Sequence, residues 1–277
     1  MPKGSLGNTF RCCNKIAFFA NFFIFLLLTN NKKYGIVWQM KANKLKKVFL
    51  VCCCVALVLS NVILLSLVLT GKPAADDIFL NNAHSVVELK AESTEVGESF
   101  GTAEFISKDG KLITNAHVVT YTKLTVTYTF ENYYIRFMDS DEYLPVTLEK
   151  YDTNLDLAVL KYDGQEHKFS PCKIGNSEKL KSGQTVYAMG NSMNYGLSIS
   201  QGVIGIPLVN IQYSNITRSV IQCDLTITDG NSGGALFDEN GKLVGVTTFR
   251  TKDNSGNVVY GIAYCIPAHM VVEYIKI

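Results

Sequence analysis

From about Ser85 to the C-terminus, the chain is broken into short runs rich in Val, Ile, Thr, Tyr and Phe, and this texture restricts the fold more than any other feature. Runs such as LTVTYTF, YYIRFM, LPVTLEKY and LAVLKY alternate with polar turns, including SKDGK, DTN, FDENGK and KDNSGN. Helical periodicity is scarce, and only Pro267 to Ile275 reads as a terminal helix, with the proline tolerated in its first turn. Short strands over nearly two hundred residues imply an all-β barrel or sandwich with a real core, and two six-stranded barrels would use that length.

Within this β region, residues 230 to 234 read Gly-Asn-Ser-Gly-Gly. A nucleophilic serine needs amide N–H groups to hold an oxyanion and a base to take its proton. Glycines can aim successive amides at one point and let a carbonyl approach the backbone. Alone, the pentapeptide is equally a turn between two strands. Upstream, KLITNAHVV is an apolar run ending in Ala-His, and His117 is the one histidine of four that follows such a run. Between the two, LDLAVL places Asp156 among apolar residues, where an unpaired carboxylate would cost several kcal/mol and so needs a cation or imidazole. Asp152 competes for that role, but it lies in the polar turn YDTN, where an Asx turn explains it. The order His117, Asp156, Ser232 matches the chymotrypsin-like triad rather than the subtilisin or α/β-hydrolase one.

With these residues in view, the segments GTAEFISKDGKLITNAHVV, DTNLDLAVLKY, YAMGNSMNYGLSISQGVIG, DLTITDGNSGGALFDENGKLVGVTTF and YGIAYCIPAHMV resemble, in order, the blocks of an HtrA (Deg) type trypsin-like serine protease. The resemblance covers roughly residues 80 to 277. It implies a chymotrypsin/trypsin-like double six-stranded β-barrel with the active site between barrels. It also implies a triad of His117, Asp156 and Ser232, with the amides of Gly230 and Ser232 as the oxyanion hole. The pocket floor six residues before the nucleophile would be Thr226, and the wall Thr247, Thr248 and Phe249, with Thr248 also in reach of Asp156. A hydroxyl floor and a narrowing phenyl ring favour cleavage after small or medium apolar residues. The chain departs from the family at Asp229 and Ala235, where relatives often carry proline. It also ends directly after the closing block, so no PDZ domain is expected. Relatives often form homotrimers through segments near the protease N-terminus, a role that residues 71–82 could serve. The alternative reading is a membrane-anchored peptide-binding or adaptor protein on an inactive protease fold.

The N-terminal part sets location. Val48 to Thr70 is uncharged, preceded by Lys41, Lys44, Lys46 and Lys47, and followed by Lys72, Asp76 and Asp77. At about 1.5 Å per residue it can cross a hydrocarbon core about 30 Å thick. The lysines orient the N-terminal side to the cytoplasm and the β region outward, in a cell envelope that reads as bacterial. A cleaved signal peptide, with Pro73-Ala74-Ala75 as its site, is the rival. The organisation expected is therefore a cytoplasmic segment 1–47, a membrane anchor 48–70, a linker 71–82 and a protease domain 83–277. Residues 1–39 would be an upstream extension, with a short apolar run from Ile16 to Leu28; were that run also to span, making the chain two-pass, the basic loop would stay cytoplasmic and the β region would still face outward. Cys172, Cys223 and Cys265 have no metal-ligand spacing, Cys52 to Cys54 read as apolar filler, and Asn215 opens a sequon that matters only in a eukaryotic secretory pathway. With a net charge of +2 and no basic, aromatic-interleaved patch, nucleic acid is not an expected partner. Polypeptide substrates and the membrane are the expected partners, and the chemistry needs no cofactor.

Overall fold

The computed structural model describes residues 36–69, 73–165, 167–213, 216–252, 255 and 258–276. The run Ile16 to Leu28, Cys12 and Cys13, Thr70 and Asn215 lie outside the described residues. The chain divides into two units, Met1–Gly71 and Lys72–Ile277.

In the first unit, α1 runs Ile36–Leu69. Its stretch Leu45–Leu65 is long and apolar enough to cross a membrane, and no other helix among the described residues is. The helix begins well before Val48 because lysine is a good helix former, so charge ends the apolar span without ending the helix. Ser60 Oγ and Asn61 Nδ2 each donate to the Leu57 carbonyl at 2.8 Å. Polar groups that bond back to their own helix are the ones a hydrocarbon environment tolerates.

The second unit corrects the linker expected over 71–82, because α2 occupies Ala75–Asn82. Asp77 Oδ2 accepts the Ala74 N–H at 3.1 Å, and Asp76 and Asp77 place negative charge at the positive end of the helix dipole. Ile78 is buried with Val86, Cys172, Tyr187, Met189 and Phe237. Eight residues are too few to display an apolar period, which is why the segment reads as a linker.

Fourteen strands follow among the described residues. The first eight are β1 (Val86–Ser93), β2 (Gly97–Phe105), β3 (Lys111–Thr114), β4 (Thr120–Lys123), β5 (Val126–Thr129), β6 (Asn132–Arg136), β7 (Leu144–Asp152) and β8 (Leu157–Lys161). The next six are β9 (Thr185–Asn191), β10 (Leu197–Tyr213), β11 (Ile216–Asp224), β12 (Ala235–Asp238), β13 (Leu243–Lys252) and β14 (Val258–Pro267). One closed barrel has the order β1-β2-β3-β8-β7-β6, and the other β10-β11-β14-β13-β12-β9, while β4 and β5 form a separate hairpin. This is the six-plus-six, all-β architecture of the trypsin-like fold. Closure removes the open edges of the two six-stranded sheets, leaving edges only on the β4–β5 hairpin among the described residues.

Alternation along β2 builds both the core and the seam between barrels. Ala103 and Phe105 point into the first barrel with Leu89, Leu112, Ile135 and Leu160. Thr102 and Glu104 therefore take the opposite face, and both are fully buried. The terminal helix α4 (Ala268–Lys276) starts one residue later than the sequence suggests, because Pro267 is the last residue of β14, opposite Gly245. Val271 and Tyr274 pack against Ile113, Leu157 and Val159 of one barrel and Val246 and Ile266 of the other. Burying one such aliphatic side chain contributes about 1.5–3 kcal/mol, so the helix fastens the barrels together. Lys150 Nζ donates to the Tyr274 carbonyl at 2.7 Å, satisfying a helix-end acceptor.

Candidate active site

β3 ends at Thr114, and a single helical turn, α3 (Ala116–Val119), carries His117 out of the first barrel with its side chain 48% exposed. Asp156 sits in the turn before β8, the strand that pairs directly with β3 in the same barrel, at a left-handed φ of 58°. Such a conformation is costly for a residue with a side chain and persists only where neighbours hold it. Asn115 Nδ2 does so, donating to the Asp156 carbonyl at 2.9 Å. The rival Asp152 is used locally, its Oδ1 accepting the amides of Asn154 and Leu155 at 2.8 and 3.0 Å.

The Asp156 carboxylate is buried and faces the imidazole edge-on. His117 Nδ1 lies 3.0 Å from Oδ1 and 2.9 Å from Oδ2, and the His117 amide donates to Oδ1 at 3.1 Å. Thr248 Oγ1 adds a 2.7 Å hydrogen bond to Oδ2. An ionised carboxylate can only accept, so Nδ1 carries a proton, and in the neutral form of the ring Nε2 keeps its lone pair for a second partner. Burial acts to raise the Asp156 carboxyl, but the hydrogen bond and charge of His117, with Thr248 and the His117 amide, outweigh it and hold the group below the ordinary carboxylate range.

Ser232 lies in the loop between β11 and β12, and its Oγ donates to the Thr248 carbonyl at 3.0 Å. His117, Asp156, Ser232, Thr248 and Phe249 all line one cleft of about 350 Å³. Two glycines shape the loop. Gly230 has φ 91°, and a Cβ there would lie 2.1 Å from the Asn191 carbonyl oxygen. Gly233 has φ 80°, and a Cβ would meet Thr114 Oγ1 at 2.1 Å. Thr102 ties the loop to the first barrel, its Oγ1 donating to the Gly230 carbonyl at 2.7 Å and its amide to the Ser232 carbonyl at 2.9 Å. The carbonyls of Gly230 and Ser232 are thus occupied, while their amides have no hydrogen-bond partner among the described residues.

The expected pocket residues divide. Thr248 and Phe249 line the cleft, but Thr226 is exposed away from it. Thr247 is buried, with Oγ1 donating to the carbonyls of Asn231 and Gly234 at 2.5 and 3.1 Å, so it braces the loop from behind. The cleft also takes in Tyr213, Arg218, Ile227, Thr228, Asp229 and Arg250. Arg250 Nη2 pairs with Asp229 Oδ1 at 2.9 Å, and Tyr213 stacks on Phe249 with ring centroids 4.3 Å apart. Sequence reasoning missed these residues, because an arginine or tyrosine in a strand carries no local sign of the cleft it will meet. Of the cysteines, Cys172, Cys223 and Cys265 are buried free thiols. Burial, with Glu104 nearby, pushes the Cys172 thiol well up and leaves it unreactive.

Comparison with known proteins adds an independent line. A family profile described as a trypsin-like peptidase domain matches residues 101–246. A probable periplasmic serine endoprotease, DegP-like, from Bartonella henselae is 36% identical over 178 residues, covering 64% of this chain and 33% of that protein. A serine protease Do-like HtrA from Lactobacillus helveticus is 36% identical over 129 residues, covering 45% of this chain and 31% of its own. Among solved structures, the HtrA-type protease AlgW with tripeptide superposes with a TM-score of 0.64 at 28% identity, covering 74% of this chain and 63% of that one. The chain spans about a third of the length of the curated relatives it matches.

Proposed function

The chain belongs to the trypsin-like peptidase family, with HtrA-type proteases among its relatives, and we propose on that premise that it is a serine endopeptidase acting on extracytoplasmic polypeptides. The observation that carries this reading is the Asp156–His117 pair, whose geometry leaves Nε2 as a free base in the cleft that Ser232 also lines.

Ser232 turns from the Thr248 carbonyl toward Nε2, gives up its proton there and attacks the scissile carbonyl. The amides of Gly230 and Ser232 receive the oxyanion, with Thr102 holding the loop's carbonyls away. The imidazolium, stabilised by Asp156, protonates the leaving amine; His117 then takes a proton from water, which attacks the acyl carbonyl, and returns it to Ser232 Oγ as the ester bond breaks. Ile227, Thr228 and Phe249 line the cleft together with the Arg250–Asp229 pair, and as the primary pocket they support a preference for small or medium apolar side chains. The helix stretch Leu45–Leu65, the lysines before it and the periplasmic names of several relatives support a bacterial enzyme anchored in the membrane and facing away from the cytoplasm.

Fluorophosphonate labelling tests the chemistry. Native protein should be labelled and Ser232→Ala should not. Well-folded native protein that resists labelling and leaves unfolded casein uncut would instead make the chain a binding protein on a protease fold.

A further inference from the structure

Resting on the peptidase reading above, we propose that Arg218 is a positioning residue for Asp156, its guanidinium holding both the carboxylate and the turn that presents it. Arg218 lies on β11 opposite Ile211 of β10, in the second barrel, whereas Asp156 belongs to the first. Its Nη1 is 3.5 Å from Asp156 Oδ2, the oxygen turned toward Thr248. Its Nε donates to the Asn154 carbonyl at 3.1 Å and its Nη2 to the Thr153 carbonyl at 2.8 Å. One planar fork therefore grips three oxygens of residues 153–156, a task a lysine's single ammonium cannot reproduce. The Tyr213 ring lies 5.2 Å from the guanidinium carbon, and the side chain is only 11% exposed. A substrate carboxylate would find this cation already engaged, so recognition of acidic residues is not its role.

Two consequences make the contact more than a brace. Asp156 holds a left-handed backbone, which is costly for a residue with a side chain, and Arg218 secures the two carbonyls leading into it. The positive charge also shares the carboxylate with His117. During catalysis an undivided Asp156 anion would stabilise the imidazolium more strongly, making the base harder to discharge near neutral pH. Arg218 thus sets the pH range of the dyad as well as its geometry, and links it to the β10–β11 hairpin whose Tyr213 lines the cleft.

The test uses full-length protein in detergent, with Arg218→Met and Arg218→Lys. The rate of Ser232 labelling is followed against pH, and thermal midpoints are measured in native and Asp156→Asn backgrounds. Arg218→Met should move the acid limb of labelling to higher pH by about half a unit or more and lower the plateau about tenfold. Arg218→Lys should restore the limb but only part of the plateau. Arg218→Met should also lower the thermal midpoint by several degrees in the native background and by clearly less with Asp156→Asn. An unmoved acid limb, or equal thermal losses in both backgrounds, would reduce Arg218 to a general brace and overturn the proposal. If native protein is not labelled at all, the peptidase reading fails, while the thermal cycle still decides whether Arg218 acts on Asp156. If Arg218→Met does not fold, Arg218→Gln removes the charge while keeping two donors.

Discussion

Thr102 of the first barrel donates its hydroxyl to the carbonyl of Gly230 in the second, at 2.7 Å, and accepts the Asn191 amide at 2.9 Å on the same oxygen. A single buried hydroxyl therefore joins β2, β9 and the loop that carries the candidate oxyanion amides. Behind it, Asn191 Nδ2 donates to Glu88 Oε2 at 2.9 Å, and Arg136 pairs with that same carboxylate at 2.7 Å. The loop geometry is thus an inter-barrel property rather than a feature of the glycines alone.

Replacing Thr102 by Val should leave the Gly230 carbonyl and the Asn191 amide unsatisfied. We expect a stability loss of about 1–3 kcal/mol and a fall in kcat/KM of about tenfold or more, with Thr102→Ser retaining most of both. Urea unfolding together with casein cleavage measures the two effects. A Val variant with full activity would show that the loop keeps its shape without the anchor.

Asp156→Asn should preserve the fold yet present an N–H to His117, favouring the tautomer that leaves no lone pair at Nε2. A loss of about 10³–10⁴ in kcat is expected, with little change in KM. Activity within tenfold of native would remove Asp156 from the catalytic role.

Glu104 is buried with neither carboxyl oxygen hydrogen-bonded among the described residues, and burial pushes its carboxyl well up. The unfolded chain loses this proton near pH 4.5 while the folded chain keeps it, so the unfolded state binds fewer protons. Stability contributed by this group should therefore fall as pH rises above about 4.5, by up to about 1.4 kcal/mol per unit, until the folded carboxyl itself ionises. Asp156, shifted down, acts with the opposite sign and loses its contribution as pH falls. Glu104→Gln should flatten the decline, gaining more over native at pH 8 than at pH 5 in urea titrations. Parallel pH profiles for the two proteins would contradict a neutral Glu104.

The Arg250–Asp229 pair lines the cleft and involves a carboxylate that is 84% exposed, so it contributes little to stability and opens easily. Its effect should appear in specificity. Arg250→Ala is expected to raise kcat/KM for peptides with Leu or Phe before the scissile bond by roughly tenfold relative to Val or Ala peptides. High salt should shift native enzyme in the same direction. An unchanged ratio would place the discriminating wall deeper, at Phe249 and Ile227.

The parts legible in the sequence are those with a local cause. Valine- and tyrosine-rich runs between polar turns make strands, an uncharged helix-forming stretch makes the span, and the glycines of residues 230–234 meet positive φ at Gly230 and Gly233. His117 and Asp156 were recognisable because each places, in an apolar run of the sequence, a group that must find a partner. α2 was not, since eight residues show no period and its role depends on the pocket that receives Ile78. Thr226 and Thr247 misled for a related reason: distance along the chain from Ser232 says nothing about which way a loop or strand residue faces. Arg218 on Asp156, Thr102 on Gly230 and Arg250 on Asp229 join residues from different strands and loops, and two of these pairs cross between the barrels. For the two that cross, only the packing of the barrels against each other brings the groups within range, because side-chain contacts between sheets depend on packing rather than on any local preference of the chain.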